Sequence, residues 1–185
     1  ALCLVSLGNA REEKGFPDIL RAIRLLEKAG ELGRFSFILQ ANDTSDAIRR
    51  DTAAMTAREM AHVTFLQETL STDAYYRLLD QADAVLLPYD GKRYRSRSSG
   101  ILTEALAAGK PVVVTENTWL SDQMTAFGGG VICRSGDPAD LARAIRELGA
   151  NYDPHRQRPE MGRDDWVQHH NPEALVRALT NAPAS

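Results

Sequence analysis

Short apolar runs alternate with amphipathic stretches along the whole chain, and the alternation predicts strands and helices in turn. Leu2 to Leu7 reads as a first strand, followed by a helix from Pro17 to Ala29 in which Ile19, Leu20, Ile23 and Leu26 recur at helical spacing and Gly30 is the stop. Phe35 to Gln40 is a second strand, and a polar, Ala-rich helix spans about Ser45 to Met60. His62 to Leu66 gives a third strand, and Ser71 caps a helix that reaches Gln81. The fourth strand, AVLLP, ends at Pro88. After a polar loop come a helix from about Ser99 to Ala108, closed by Gly109, and a fifth strand from Pro111 to Thr115. Leu120 to Phe127 is a short helix, Val131 to Arg134 a sixth strand and Pro138 to Leu148 a further helix. Asn151 to His170 reads as a polar, proline-containing segment, with a last helix from Pro172 to Leu179.

Strands that are apolar throughout, separated by helices with one apolar face, imply a parallel sheet covered on both sides. The expected fold is α/β: a Rossmann-like, doubly wound, six-stranded parallel sheet over residues 1–150, with residues 151–185 packing on the same domain. With strand order 3-2-1-4-5-6, strands one and four are neighbours where the winding reverses. Open α/β sheets bind ligands there, outside the carboxyl ends of the strands. The loops after Leu7 and Pro88 are thus expected to face one crevice.

Composition changes this picture little. The 185 residues suit one domain, and 43% apolar with 25% charged residues is ordinary for a globular chain. A net charge of −3 gives no broad footprint for nucleic acid, so no nucleic-acid partner is expected. Cys3 and Cys133 lie in apolar runs, where a free thiol behaves as a small hydrophobe; a lone disulfide is the alternative, and the favoured reading is a reducing compartment, hence a cytoplasmic location. No apolar run approaches the roughly 18 residues that span a bilayer. The chain opens on ALCLVSLG, directly in an apolar run, and reads as a piece of a longer protein whose N-terminal part precedes it.

The two loops at the switch point are the most unusual in the chain. In GNAREEKGF, Gly8 permits a tight turn and Arg11 and Lys14 stand three apart before a helix. In RYRSRSSGILTEALAAG, Ser98, Ser99 and Gly100 fall at a helix start, where backbone N–H groups lack intrahelical partners. Two cations from one loop and a helix N-terminus from the other make a diphosphate cradle. The bland alternative is that Arg11 and Lys14 pair with Glu12 and Glu13 on the surface. Glu104, one turn into the helix, either sits on its exposed face or accepts hydrogen bonds from vicinal hydroxyls, as carboxylates do on a ribose in such crevices. Trp119, Tyr89 and Tyr94 either line the crevice or pack. His62 reads as structural, and His155, His169 and His170 show no metal-ligand spacing.

GNAREEKGF and SSGILTEALAAGKPVVV, together with HVTFL, YYRLLDQADAVLLPY and GGGVICRSGDPADLARAI, resemble the donor-binding half of GT-B glycosyltransferases, especially the retaining group often called family four. The resemblance covers most of residues 2–149. It implies a C-terminal, nucleotide-sugar-binding domain of an enzyme that transfers a sugar from a nucleoside diphosphate sugar to an acceptor held largely by an N-terminal domain. This piece alone would then be inactive. By position, Lys14 matches the lysine that neutralises the donor diphosphate, and Glu104 the second glutamate of a pair, which binds the ribose. Ser98, Ser99 and Gly100 match the stretch whose amides meet phosphates and sugar. The resemblance further implies a metal-independent reaction without cofactor, in bacterial polysaccharide or glycoconjugate synthesis, the whole enzyme being cytoplasmic or peripheral at the inner membrane.

Two positions depart from that pattern. Asn9 stands where the second phosphate-binding cation is common, so Arg11 would reach in from a shifted place. Ser96 stands where the first paired glutamate should be, leaving the donor sugar to Arg95, Ser96 or Arg97. The rival readings are a degenerate, non-catalytic nucleotide-binding domain and a flavodoxin-like regulatory module. A phosphoacceptor receiver is disfavoured because the first strand ends in LGNA, without an acidic cluster.

Overall fold

The computed structural model describes residues 1–42, 44–57, 62–171 and 173–174. Six parallel strands form one sheet in the order β3-β2-β1-β4-β5-β6. They are β1 (Leu2–Ser6), β2 (Phe35–Gln40), β3 (Val63–Leu66), β4 (Ala84–Leu87), β5 (Val112–Thr115) and β6 (Gly130–Cys133). The helices are α1 (Phe16–Lys28), α2 (Asp46–Ala57), α3 (Thr72–Gln81), α4 (Gly100–Ala107), α5 (Trp119–Phe127), α6 (Pro138–Ala150) and α7 (Tyr152–His169). The expected α/β class and strand order are both present, with element ends shifted by one or two residues. The expected helix from Pro172 to Leu179, residues 173–174 apart, and the end of the second helix near Met60 lie outside the described residues.

Adjacent residues of each central strand bury on opposite faces, as the period of two requires. Leu4, Leu86 and Val113 join Ile19, Ile23 and Ile145 under α1, α2 and α6. Their neighbours Val5, Val85, Leu87, Val112 and Val114 join Leu102, Leu106 and Leu120 under α3, α4 and α5. Both faces are covered, which is why these strands read as unbroken apolar runs rather than alternating ones.

The segment from Asn151 to His170 is not an irregular polar stretch: α7 occupies it. One of its prolines misleads. Pro154 falls in the first turn, where a missing N–H removes no intrahelical bond. The helix is fastened at both ends. Near its start the Tyr152 hydroxyl donates to an Asp83 carboxylate oxygen at 3.1 Å, and Asp83 also accepts from the Cys3 N–H at 2.7 Å. Near its end Trp166 is 2% exposed, stacked on His170 at 3.6 Å and set edge-on to Phe127. These contacts hold α7 against the α4–α5 face of the domain.

Both cysteines are free thiols. Burial, and then Asp140, push the Cys133 thiol up to about 12. No helix among the described residues is long and apolar enough to cross a membrane.

Helix α3 carries one wall of the cleft described below, and it starts at a well-formed cap in which Ser71 Oγ accepts from the Ala74 N–H at 3.3 Å. Ser71→Ala is expected to cost about 1 kcal/mol. In thermal unfolding that is a fall in Tm of about 2–4 °C for a domain of this size.

Candidate functional site

The loops after β1 and β4 meet at the switch point, where β1 and β4 pair through Leu4–Ala84 and Val5–Val85. After β1 the chain turns at Gly8, makes a short 3-10 turn over Glu12–Lys14 and enters α1 through Gly15 in the left-handed region (φ 68°). The Asp90 N–H donates to the Glu13 carbonyl at 2.9 Å, so the second loop is bonded to the first. The second loop is itself ordered by the Asp90 carboxylate, which accepts from the N–H groups of Lys92 (2.8 Å) and Arg93 (3.0 Å). The Trp119 N–H, donating to the carbonyls of Tyr94 and Arg95, holds the next stretch against the start of α5.

Between the loops lies a cleft of about 500 Å³. One side is Gly8, Asn9, Arg11 and Lys14; the other is Arg97, Ser98, Ser99 and Gly100 leading into α4, with Ile101 and Glu104 one turn on. Tyr75 of α3 and the Tyr89–Tyr94 pair complete it. Of the residues considered from the sequence, Arg95, Ser96 and Trp119 do not line the cleft. Of the three residues expected near the donor sugar, Arg97 lines the cleft, where it lies over the Tyr94 ring, 5.1 Å from its centroid.

Three cations stand on this cleft. Lys14 is half-buried with its ammonium 6.0 Å from the centre of the Tyr89 ring, and Arg11 sits 3.8 Å from Glu13. The surface-pairing alternative thus describes part of Arg11's surroundings but not Lys14's position in the cleft. Burial lowers the Lys14 pKa, and the charge of Arg11 lowers it further; Glu13 opposes the shift and Arg97 adds to it. A site that depresses a lysine by burial and like charge gains when an anion enters, because the anion relieves the repulsion.

Helix α4 offers the matching feature on the other side. Ser99 caps it, accepting from the Leu102 N–H at 3.3 Å, and this leaves the N–H groups of Gly100 and Ile101 without a partner inside the helix. The aligned peptide dipoles favour negative charge at that end. Gly8 is needed here: at φ 83° a Cβ would stand 2.9 Å from Ile101 Cδ1 and 3.1 Å from Lys14 Nζ.

Glu104 is half-buried, and its carboxylate accepts a hydrogen bond from the Tyr75 hydroxyl. Sequence reasoning missed Tyr75, whose place in a helical pattern looks like packing. Tyr89 was legible only as an aromatic near a strand end; it is 3% exposed and forms the floor beside Lys14. Among the described residues, no three His, Cys, Asp or Glu side chains gather as a metal site.

A sequence profile of the family described as "Glycosyl transferases group 1" matches residues 1–151. The chain belongs to this family. No curated protein gives a significant match to this chain. Among solved structures it resembles OtsA in its apo form, with a TM-score of 0.76 and 15% identity over 100% of this chain and 44% of that one. It also resembles sucrose-phosphate synthase from Thermosynechococcus elongatus (TM-score 0.72, 19% identity, 97% and 44% of the two chains). HepE from Anabaena in complex with UDP-glucose is a third (TM-score 0.73, 14% identity, 97% and 48%). At these identities the likeness is one of fold. The chain spans less than half the length of each of these proteins.

Proposed function

We propose that this chain is the donor-binding domain of a glycosyltransferase, and that the cleft between the β1 and β4 loops takes a nucleoside diphosphate sugar. The observation that carries the reading is the meeting of Lys14, Arg11 and Arg97 with the bare N-terminus of α4 in one cleft of about 500 Å³, a size within the usual range for small-molecule sites. In this reading the diphosphate lies between Lys14 and the amides at Gly100, and Glu104 takes the ribose hydroxyls. Asn9, Ser98 and Ser99 flank the phosphates, and Arg97 faces the donor sugar.

Transfer creates negative charge on the leaving diphosphate. Fixed cations and oriented N–H groups stabilise such charge in place, without reorganising at the moment of reaction. The chemistry asked of this domain is therefore electrostatic and needs no metal from it. The acceptor belongs to an N-terminal domain of the same protein, so this chain by itself binds donor without transferring sugar. Retention of anomeric configuration, implied by the family resemblance, and a cytoplasmic location, suggested by the two cysteines, belong to the same proposal.

Calorimetric titration with UDP, GDP and ADP, each against its monophosphate, tests the reading. One diphosphate should bind in the range of about 10 μM to 1 mM, and its monophosphate several-fold more weakly. Equal binding of mono- and diphosphates would remove the phosphate cradle. Ser96 favours one second reading. With serine in place of the first paired glutamate, Glu104 is the carboxylate lining the cleft, which suits a domain that binds donor but has lost transfer. Sugar transfer by the whole protein would dismiss it.

A further inference from the structure

We infer that Tyr75 is a positioning residue for the nucleoside: its hydroxyl holds the Glu104 carboxylate in the orientation that receives the vicinal hydroxyls of a ribose, so that the pair selects ribonucleotides. The inference rests on the donor-site reading above and adds a residue to it.

The two side chains come from different elements. Tyr75 lies in the first turn of α3, which Ser71 fixes, and Glu104 lies one turn into α4, which Ser99 fixes. Both line the cleft, and the phenol donates to Glu104 Oε2. A glutamate has three soft torsions. In a half-open cleft it would sample several rotamers, and fixing it only upon binding would cost side-chain entropy. The phenol removes that freedom in advance.

It does so without consuming the acceptor. An ionised carboxylate offers about four lone-pair positions, of which the phenol takes one and two ribose hydroxyls would take two more. Burial raises the Tyr75 pKa, and the hydrogen bond to Glu104 raises it further, so the group stays a donor throughout the neutral range. The ring is held by packing as well, edge-on to Tyr76 at 5.4 Å. Tyr76 is 50% exposed and does not line the cleft, so it provides an internal control.

The test is titration of UDP, GDP and ADP, and of their 2′,3′-dideoxy counterparts, into the unaltered chain and into Tyr75→Phe, Tyr76→Phe, Glu104→Gln and the 75/104 double variant. Circular dichroism and Tm serve as fold checks. Tyr75→Phe keeps the ring and removes the donor. It should weaken the preferred ribonucleotide about five- to tenfold and change its dideoxy analogue by less than about twofold, the size of one ordinary net hydrogen bond, since the phenol acts on the ligand only through Glu104. Tyr76→Phe should change neither. The double variant should bind no more weakly than Glu104→Gln alone, because a positioning hydrogen bond has nothing left to position. Equal losses for ribose and dideoxy ligands in Tyr75→Phe would mean that the tyrosine only packs. No loss in Tyr75→Phe, with a ribose-selective loss in Glu104→Gln, would overturn the positioning role and leave the donor site standing. A Glu104→Gln variant without ribose-selective loss, or an unaltered chain that binds no diphosphate, would overturn the donor-site reading and this inference with it.

Discussion

Lys14→Ala is expected to weaken binding of the preferred nucleoside diphosphate by at least about tenfold, since a hydrogen bond to a charged group contributes about 1.5–3 kcal/mol. The half-buried ammonium above Tyr89 is already less well solvated than a surface lysine, so its contact with a phosphate displaces less water. The alanine variant also removes the aliphatic stem of a residue that lines the cleft. Lys14→Met keeps most of that stem, and a similar loss in both variants would assign the effect to charge. The pH dependence has a definite sign. Burial and Arg11 depress the pKa of the free amine, whereas a bound diphosphate favours the charged form and pushes it back up. Binding therefore takes up protons. The lysine's contribution is fully present below the depressed pKa and fades as pH rises through it, earlier than for an ordinary lysine. Affinity measured between about pH 7 and pH 10 should fall in the unaltered chain and stay flatter in Lys14→Met. Parallel curves, or an unchanged affinity in Lys14→Ala, would take Lys14 out of the phosphate site.

The loops at the switch point were legible because their signals are local. A glycine that ends an apolar strand, a cation pair before a helix, and a Ser-Ser-Gly run before an apolar helix each point to their own geometry, and topology alone then places the two loops together. Tyr75 was not legible in the same way. Within α3 it is one of two adjacent tyrosines, and only the approach of α3 to α4 distinguishes it from Tyr76. The loop from Tyr89 to Ser98 posed a related difficulty. Which of Arg95, Ser96 and Arg97 meets the cleft depends on the turn at Asp90 and on the hydrogen bonds from Trp119, both set by tertiary contacts. Helix α7 failed for a third reason. Its composition argues against a helix, and what holds it is the anchoring of Trp166 and Tyr152 on surfaces made by distant parts of the chain.

Gly15→Ala is expected to be the most damaging single-methyl change near the site, and comparison with Gly30→Ala separates its two causes. Both glycines lie in the left-handed region, at φ 68° and 72°. An alanine there costs about 1–2 kcal/mol from its Cβ against the following carbonyl. At Gly30 that is the whole effect, since a Cβ would meet nothing within 4 Å. At Gly15 the added Cβ would be driven into the carbonyl oxygen of Pro88, which is backbone and cannot swing aside. The clash falls between the two loops that form the cleft, one residue from Lys14 and next to the bond from Asp90 to Glu13. Relief requires the loops to part, which breaks that bond and moves Lys14 away from the start of α4. Gly15→Ala should thus lose about 3 kcal/mol or more in all, against the more ordinary loss at Gly30. For a domain of this size that corresponds to a fall in Tm of about 6–12 °C, against about 2–8 °C at Gly30. The functional readout separates the sites more sharply. Gly30→Ala should leave diphosphate affinity unchanged at a temperature where both variants are folded, while Gly15→Ala should reduce it about as far as Lys14→Ala does. Equal Tm losses with intact binding in both variants would mean that the loops are not locked through Gly15 and Pro88, and that the spacing between lysine and helix is set elsewhere.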